Sequence, residues 1–275
     1  MKKSTDKSND LRDQTIADFG HQWTTYTTND GFYGSVELLE DILYPFIKPN
    51  EIRNLSIAEI GSGSGRIVNM LSKAGASKIT AIEPSDAIHV LRKNTDGLLT
   101  KVVCVHSTGE AISDLGPFDL VISIGVLHHI PDPLLVAKAA YNSLVPKGRM
   151  LVWLYGAEGN ELYLMVLTPF RWLTRILPRF VLPALTWMLY LPLCVYIKIC
   201  KVTPLPLADY MINVIGKMSP DKQRLVIYDQ LNPAHAKYYT RAEAEQLLQQ
   251  AGFEGVTAHH RRGYSWTVMG TKPSL

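Results

Sequence analysis

The chain has 275 residues, 47% of them hydrophobic, and a net charge of +3, which predicts one domain of ordinary size with an elaboration rather than two equal domains. Residues 162–208 hold Arg171, Arg175, Arg179, Lys198 and Lys201 with no Asp or Glu, so the rest of the chain is net acidic. Basic residues gathered at the border of an apolar segment argue against a nucleic-acid binder.

The first thirteen residues are polar and lack an apolar core segment, which predicts local disorder and no secretory leader. Cys104, Cys194 and Cys200 show neither CxxC nor Cys/His ligand spacing; reduced thiols, a cytoplasmic protein and no metal site are expected. Residues 14–35 carry Phe19, Trp23, Tyr26, Phe32 and Tyr33, either a lid of aromatics over a pocket or a helix packed on the core. Val36, Leu39, Ile42, Leu43 and Ile47 repeat with helical spacing and stop near Pro45 and Pro49, so residues 1–50 read as an N-terminal helical cap.

An apolar run then enters Gly61-Ser62-Gly63-Ser64-Gly65-Arg66, and a helical pattern leaves it up to Lys73, with a stop at Gly75. Strands follow over 78–82, 102–105, 118–122 and 149–155, with helices over 86–94 and from an Asp132 N-cap with Pro133 at the first helical position. The alternation breaks for about eighty residues and resumes with a helix over 241–251 and strands over 255–260 and 265–271. These elements predict an α/β fold: a doubly wound, mostly parallel seven-stranded sheet, Rossmann-like, with an antiparallel final strand. The core domain is 51–156 plus 240–275, and 157–239 is an apolar helical insertion.

A GxGxG loop between a strand and a helix lets the backbone approach a ligand closely, and unpaired N–H groups of the helix favour an anionic group. Arg66 occupies the place where a dinucleotide fingerprint wants its third glycine. Glu83 lies 22 residues after Gly61 at a strand end, suited to accept hydrogen bonds from a ribose diol.

Together with Glu59-Ile60, Glu83-Pro84-Ser85, Ser107-Thr108-Gly109-Glu110-Ala111 and the string Leu127-His128-His129-Ile130-Pro131-Asp132-Pro133, this loop resembles the class I S-adenosylmethionine-dependent methyltransferases. The His-His string is similar to that of the branch that includes quinone-ring C-methyltransferases. The resemblance covers residues 55–155 and, more loosely, 241–271. It implies S-adenosylmethionine as cofactor, with its methionine moiety against Gly61, Ser62, Gly63 and Gly65 and Glu59 beneath the loop. Glu83 and Pro84 would border the ribose, Thr108, Gly109 and Glu110 the adenine, and Ile124 the floor near the sulfonium. The family often carries Asp where this chain has Thr108, which weakens the expectation of adenine selectivity there.

Methyl transfer asks mainly for alignment of nucleophile and methyl group, and for a base only when the acceptor must lose a proton. His128 or His129 could be that base, although in the family it resembles the string also serves as a structural turn before Pro131. Tyr155, Glu158 and Asn160 past the fifth strand, and Asp229, Asn232, His235, Tyr238 and Tyr239 at the end of the insertion, are the other polar candidates. Catalytic roles are therefore expected among His128, His129, Tyr155 and Tyr239.

Residues 180–197 hold eighteen residues without a charge, interrupted by Pro183 and Pro192. A helix of that length reaches roughly 27 Å, short of a hydrocarbon core of about 30 Å. A single crossing would also separate the closing strands from their sheet. A hairpin lying on one leaflet is expected instead, with a basic stripe of Arg171, Arg175 and Arg179 near Pro178 and the interfacial rings of Trp172, Trp187, Tyr190 and Tyr196. Peripheral contact through 162–201 at the inner membrane face and a lipophilic acceptor (a prenylated ring, a lipid or a lipid-linked glycan) follow as expectations. The alternatives are a soluble acceptor with the insertion as a homodimer interface, and a non-catalytic assembly factor.

Overall fold

The computed structural model describes residues 2–165, 168–169, 181–232 and 235–274. The basic stripe of Arg171, Arg175 and Arg179, together with Trp172 and Pro178, lies outside the described residues.

Seven strands, β1 (Ser56–Ile60), β2 (Lys78–Ile82), β3 (Lys101–Val105), β4 (Phe118–Ile124), β5 (Leu144–Tyr155), β6 (Glu254–Arg261) and β7 (Ser265–Thr271), form one sheet in the order β3-β2-β1-β4-β5-β7-β6. Strands β1 to β5 pair in parallel, whereas β7 runs antiparallel to both β5 and β6. This is the mostly parallel Rossmann-like sheet the alternating pattern predicts.

Parallel strands covered on both faces read as continuous apolar runs, and successive side chains serve opposite cores. Ile57, Leu120, Ile122 and Leu151 enter one core, while Ala58, Val121 and Val152 enter the other. The first core lies under α2 (Val36–Leu43), α3 (Arg66–Lys73) and α4 (Ile88–Thr95); the second lies under α5 (Pro133–Ser143) and α9 (Arg241–Gln250).

Several boundaries differ from the sequence pattern for local reasons. Strand β5 starts at Leu144, not Arg149, because the register shift opposite Phe118/Leu120 absorbs the turn-like Pro146 and Gly148. Helix α4 starts at Ile88, not Asp86, because the Ser85 hydroxyl accepts from the Ala87 amide and holds a turn there. Helix α2 ends at Leu43, short of Ile47, since Tyr44 precedes Pro45 and is extended at ψ 140°. The leader is helical rather than disordered: α1 (Lys2–Thr25) runs without Gly or Pro as far as Gly20.

Beyond β5 the chain leaves the sheet at Gly156 and returns at Tyr239. The two residues form a parallel bridge, and the Tyr239 amide donates to the Tyr155 carbonyl at 2.8 Å. Between them lie α6 (Val181–Cys200), α7 (Ala208–Asn213) and α8 (Pro220–Leu231), with α6 packed on α8. Contrary to expectation, neither proline interrupts α6. Pro192 forgoes one backbone bond inside the helix. All three cysteines are free thiols.

Candidate active site

The glycine loop connects the carboxyl end of β1 to α3, the edge of an open α/β sheet where ligands bind. The amides of Gly61 and Ser62 both donate to the Ile82 carbonyl, at 2.8 and 3.0 Å, so the loop is anchored on the end of β2. Gly61 has φ +77°, and a Cβ there would stand 2.4 Å from Val126 Cγ2. Gly65, at φ +83°, is the N-cap of α3.

Two carboxyl groups flank the loop. Glu83 Oε2 accepts from the Gly63 amide at 2.8 Å, and Oε1 accepts from the Ser85 amide at 3.0 Å and from the Ser85 hydroxyl. Burial raises the Glu83 carboxyl, opposed by those three donors. Glu59, 2% exposed, has an Oε2 with no hydrogen-bond partner among the described residues. Burial pushes its carboxyl up to about 8, against the opposing pull of Ser62 and Arg66.

These groups open into one cavity. Glu59, Gly61, Ser62, Gly63, Glu83, Pro84, Thr108, Gly109, Glu110, Ile124 and His129 all line it. Gly65 does not; it serves the turn into α3 behind the lining. The far wall comes from α1, through Arg12, Thr15, Ile16, Phe19 and Trp23. Phe19 packs on the His129 ring at 4.7 Å, and a Cβ on Gly63 would meet Trp23 Nε1 at 2.9 Å. Helix α1 thus closes over the glycine loop. Sequence reasoning missed Arg12, Thr15 and Ile16, although Ile16, Phe19 and Trp23 fall at the i, i+3, i+7 spacing of one helical face.

A second cavity of about 350 Å³ adjoins the first under α6, α7 and α8. Tyr155 faces this one. Its hydroxyl donates to Asp229 Oδ2 at 2.9 Å and accepts from Gln230 Nε2 at 2.9 Å. Burial, followed by the Asp229 charge, pushes the Tyr155 phenol well above its usual range, so it remains a donor.

His128 is fully buried outside the lining of both cavities, its ring 3.9 Å from that of Tyr155. His129 Nδ1 donates to the His235 carbonyl at 2.7 Å. Tyr239 is buried and also stands outside both linings, where its carbonyl accepts from Trp266 Nε1. No group of three or more His, Cys, Asp or Glu side chains able to hold a metal occurs among the described residues.

A family model described as a methyltransferase domain matches residues 36–258, most of the chain. The chain belongs to this family. The family-model match, the curated methyltransferase relatives and the mixed seven-stranded sheet together support the class I S-adenosylmethionine-dependent type. The methyltransferase domain is 31% identical over 104 residues to a ubiquinone biosynthesis O-methyltransferase of Dinoroseobacter shibae, a match covering 38% of this chain and 42% of the relative. It is 31% identical over 133 residues to a tRNA U34 carboxymethyltransferase of Vibrio cholerae, covering 47% and 40%. The chain thus spans less than half the length of these curated relatives. Among solved structures, the S-adenosylmethionine-dependent methyltransferase SibL superposes with a TM-score of 0.51 at 18% identity, over 86% of this chain and 55% of that one, and shares its fold.

Proposed function

We propose that this chain transfers a methyl group from S-adenosylmethionine to a lipophilic acceptor at the cytosolic face of a membrane. The residues present fit the donor. The loop gives close backbone approach, and the unpartnered, buried Glu59 Oε2 suits a cationic ammonium. Glu59 and the loop would hold the methionine end, Glu83 and Pro84 the ribose, and Thr108, Gly109 and Glu110 the adenine. When bound, the donor supplies a methyl already activated on sulfonium sulfur. The protein's own residues bind, orient and exclude water, with α1 closing the cavity.

The observation that carries the acceptor side is the two-faced character of α6. Its inner side lends Leu189 and Leu193 to the second cavity. Its outer side exposes Trp187, Leu191, Val195 and Ile199, four residues apart, with Leu191 at 70%. An exposed apolar helical stripe with Lys198 and Lys201 nearby suits an interfacial helix. At twenty residues α6 is also long and apolar enough to cross a membrane. However, β5 and β7 are paired neighbours on either side of the insertion, so a crossing would need a return. The relatives named ubiquinone biosynthesis O-methyltransferases support a lipophilic acceptor.

Flotation of the full chain with phosphatidylglycerol vesicles at low salt tests it. Flotation that is lost in Leu191→Asp supports membrane contact. A protein that stays at the bottom of the gradient, and sediments as a dimer, overturns it in favour of a soluble acceptor and a dimer interface.

A further inference from the structure

Asp229 stands where the two cavities meet. It lines both, as do Trp23, Arg66, Ile124 and Gly125. Oδ1 accepts from Gln22 Nε2 of α1 at 2.8 Å, and Oδ2 accepts from the Tyr155 hydroxyl of β5. The carboxylate is therefore fixed from two sides by neutral donors. A carboxylate offers about four acceptor positions; these two bonds leave it capacity for a third donor.

The walls of the second cavity are apolar and aromatic apart from one connected polar patch and three other side chains, Arg66, whose guanidinium lies over the Tyr33 ring at 4.5 Å, Asn160 and Arg261. Gln230 joins the patch together: it donates to Tyr155 and accepts from Tyr163 at 2.8 Å and from Tyr238 at 3.5 Å. Arg261 is held by Asp41 and Tyr264, and Asn160 by the carbonyls of Gly156 and Tyr264. Of the connected patch, only Asp229 also borders the glycine-loop cavity. An apolar molecule in the second cavity that turns its polar group toward the donor therefore meets the Asp229 carboxylate, the other charged group common to the two linings being the Arg66 guanidinium, which donates but cannot accept a proton.

Resting on the methyltransferase reading above, we propose that Asp229 is the proton acceptor of the transfer and that the second cavity binds an apolar acceptor carrying an acidic, phenol-type hydroxyl. In that step the acceptor oxygen forms a bond to the methyl carbon, the carbon–sulfur bond breaks, and its electron pair stays on sulfur as a neutral thioether. The hydroxyl proton passes to the Asp229 carboxylate and later to solvent. A carboxylate is a weak base, so an acidic hydroxyl, with a pKa of about 10 or below, suits it better than an aliphatic alcohol. His129, by contrast, lines only the first cavity.

The test measures labelled methyl transfer from S-adenosylmethionine to nonylcatechol by the full chain, with S-adenosylhomocysteine titrated calorimetrically in parallel. Wild type is expected to methylate the probe. Asp229→Asn should lose about 100-fold or more in kcat and keep its affinity for S-adenosylhomocysteine. Asp229→Glu should recover part of the rate. Tyr155→Phe, which removes a bond to the carboxylate but leaves the base, should lose less than about tenfold.

An Asp229→Asn enzyme as fast as wild type overturns the role. A Tyr155→Phe enzyme as slow as Asp229→Asn also overturns it, since the tie between α1, β5 and α8 would then matter rather than the base. A wild type that binds S-adenosylhomocysteine but leaves nonylcatechol unmethylated overturns the acceptor class while the methyltransferase reading stands. Failure to bind S-adenosylhomocysteine overturns that reading itself.

Discussion

The carboxylate of Glu83 accepts a hydrogen bond from the Gly63 amide at 2.8 Å, tying the end of β2 to the middle of the glycine loop. Glu83 is thus part of the loop's framework as well as of the cavity wall. Glu83→Ala would strip the buried Gly63 and Ser85 donors of their acceptor, at about 1–3 kcal/mol for each buried group left unpaired. Denaturant unfolding should show a loss of about 2 kcal/mol or more, accompanied by weakened S-adenosylhomocysteine binding. Glu83→Gln keeps one acceptor oxygen and should lose less.

Gly61 couples a positive φ to a close approach. Gly61→Ala places a methyl against Val126 and forces an L-residue to φ +77°, a strain of order 1–3 kcal/mol. Thermal unfolding should report that loss, and calorimetry should report little or no S-adenosylhomocysteine binding. Gly97, at φ +74° with nothing within 4 Å of its added Cβ, is the control. Gly97→Ala should be destabilised by its backbone strain and still bind.

Glu59 gives a pH dependence with a definite sign. Its carboxyl titrates at about 8 in the folded chain against 4.5 as its ordinary value, so between those values the folded state holds a proton that the unfolded state has lost. Its contribution to stability is complete below pH 4.5 and is lost as pH rises through 8. The slope is at most about 1.4 kcal/mol per pH unit. Urea unfolding at pH 5.5, 6.5 and 7.5 should show this decline in wild type and a flatter dependence in Glu59→Gln.

Asp41 joins the N-terminal cap to the far edge of the sheet. The Arg261 side chain, 4% exposed, bonds the Asp41 carboxylate and Tyr264, and Arg262 donates to the same carboxylate at 2.8 Å. Asp41→Ala leaves a buried guanidinium without its counter-charge, which should cost about 3–5 kcal/mol. Chemical denaturation measures the loss.

The sheet was legible because its strands are short apolar runs bounded by glycine, proline and polar turns. The bounds of β2 and β7 coincide with the pattern, whereas β5 differs because a bulge hides strand residues behind Pro146 and Gly148. The loop and its acidic partners were legible because backbone geometry there demands particular residue types at fixed spacing. The cover formed by α1 was only half visible, its polar start resembling a disordered leader despite the helical spacing of Ile16, Phe19 and Trp23. The place of Asp229 was not legible, since its partners Tyr155 and Gln22 are 74 and 207 residues away in sequence. Only the folded chain brings α1, β5 and α8 to one carboxylate.

Calorimetric titration of the full chain with S-adenosylhomocysteine tests the central claim most directly. Saturable one-to-one binding by wild type that disappears in Gly61→Ala is the predicted result. No binding by wild type, or equal binding by the two proteins, would contradict the assignment of the glycine-loop cavity to the methyl donor.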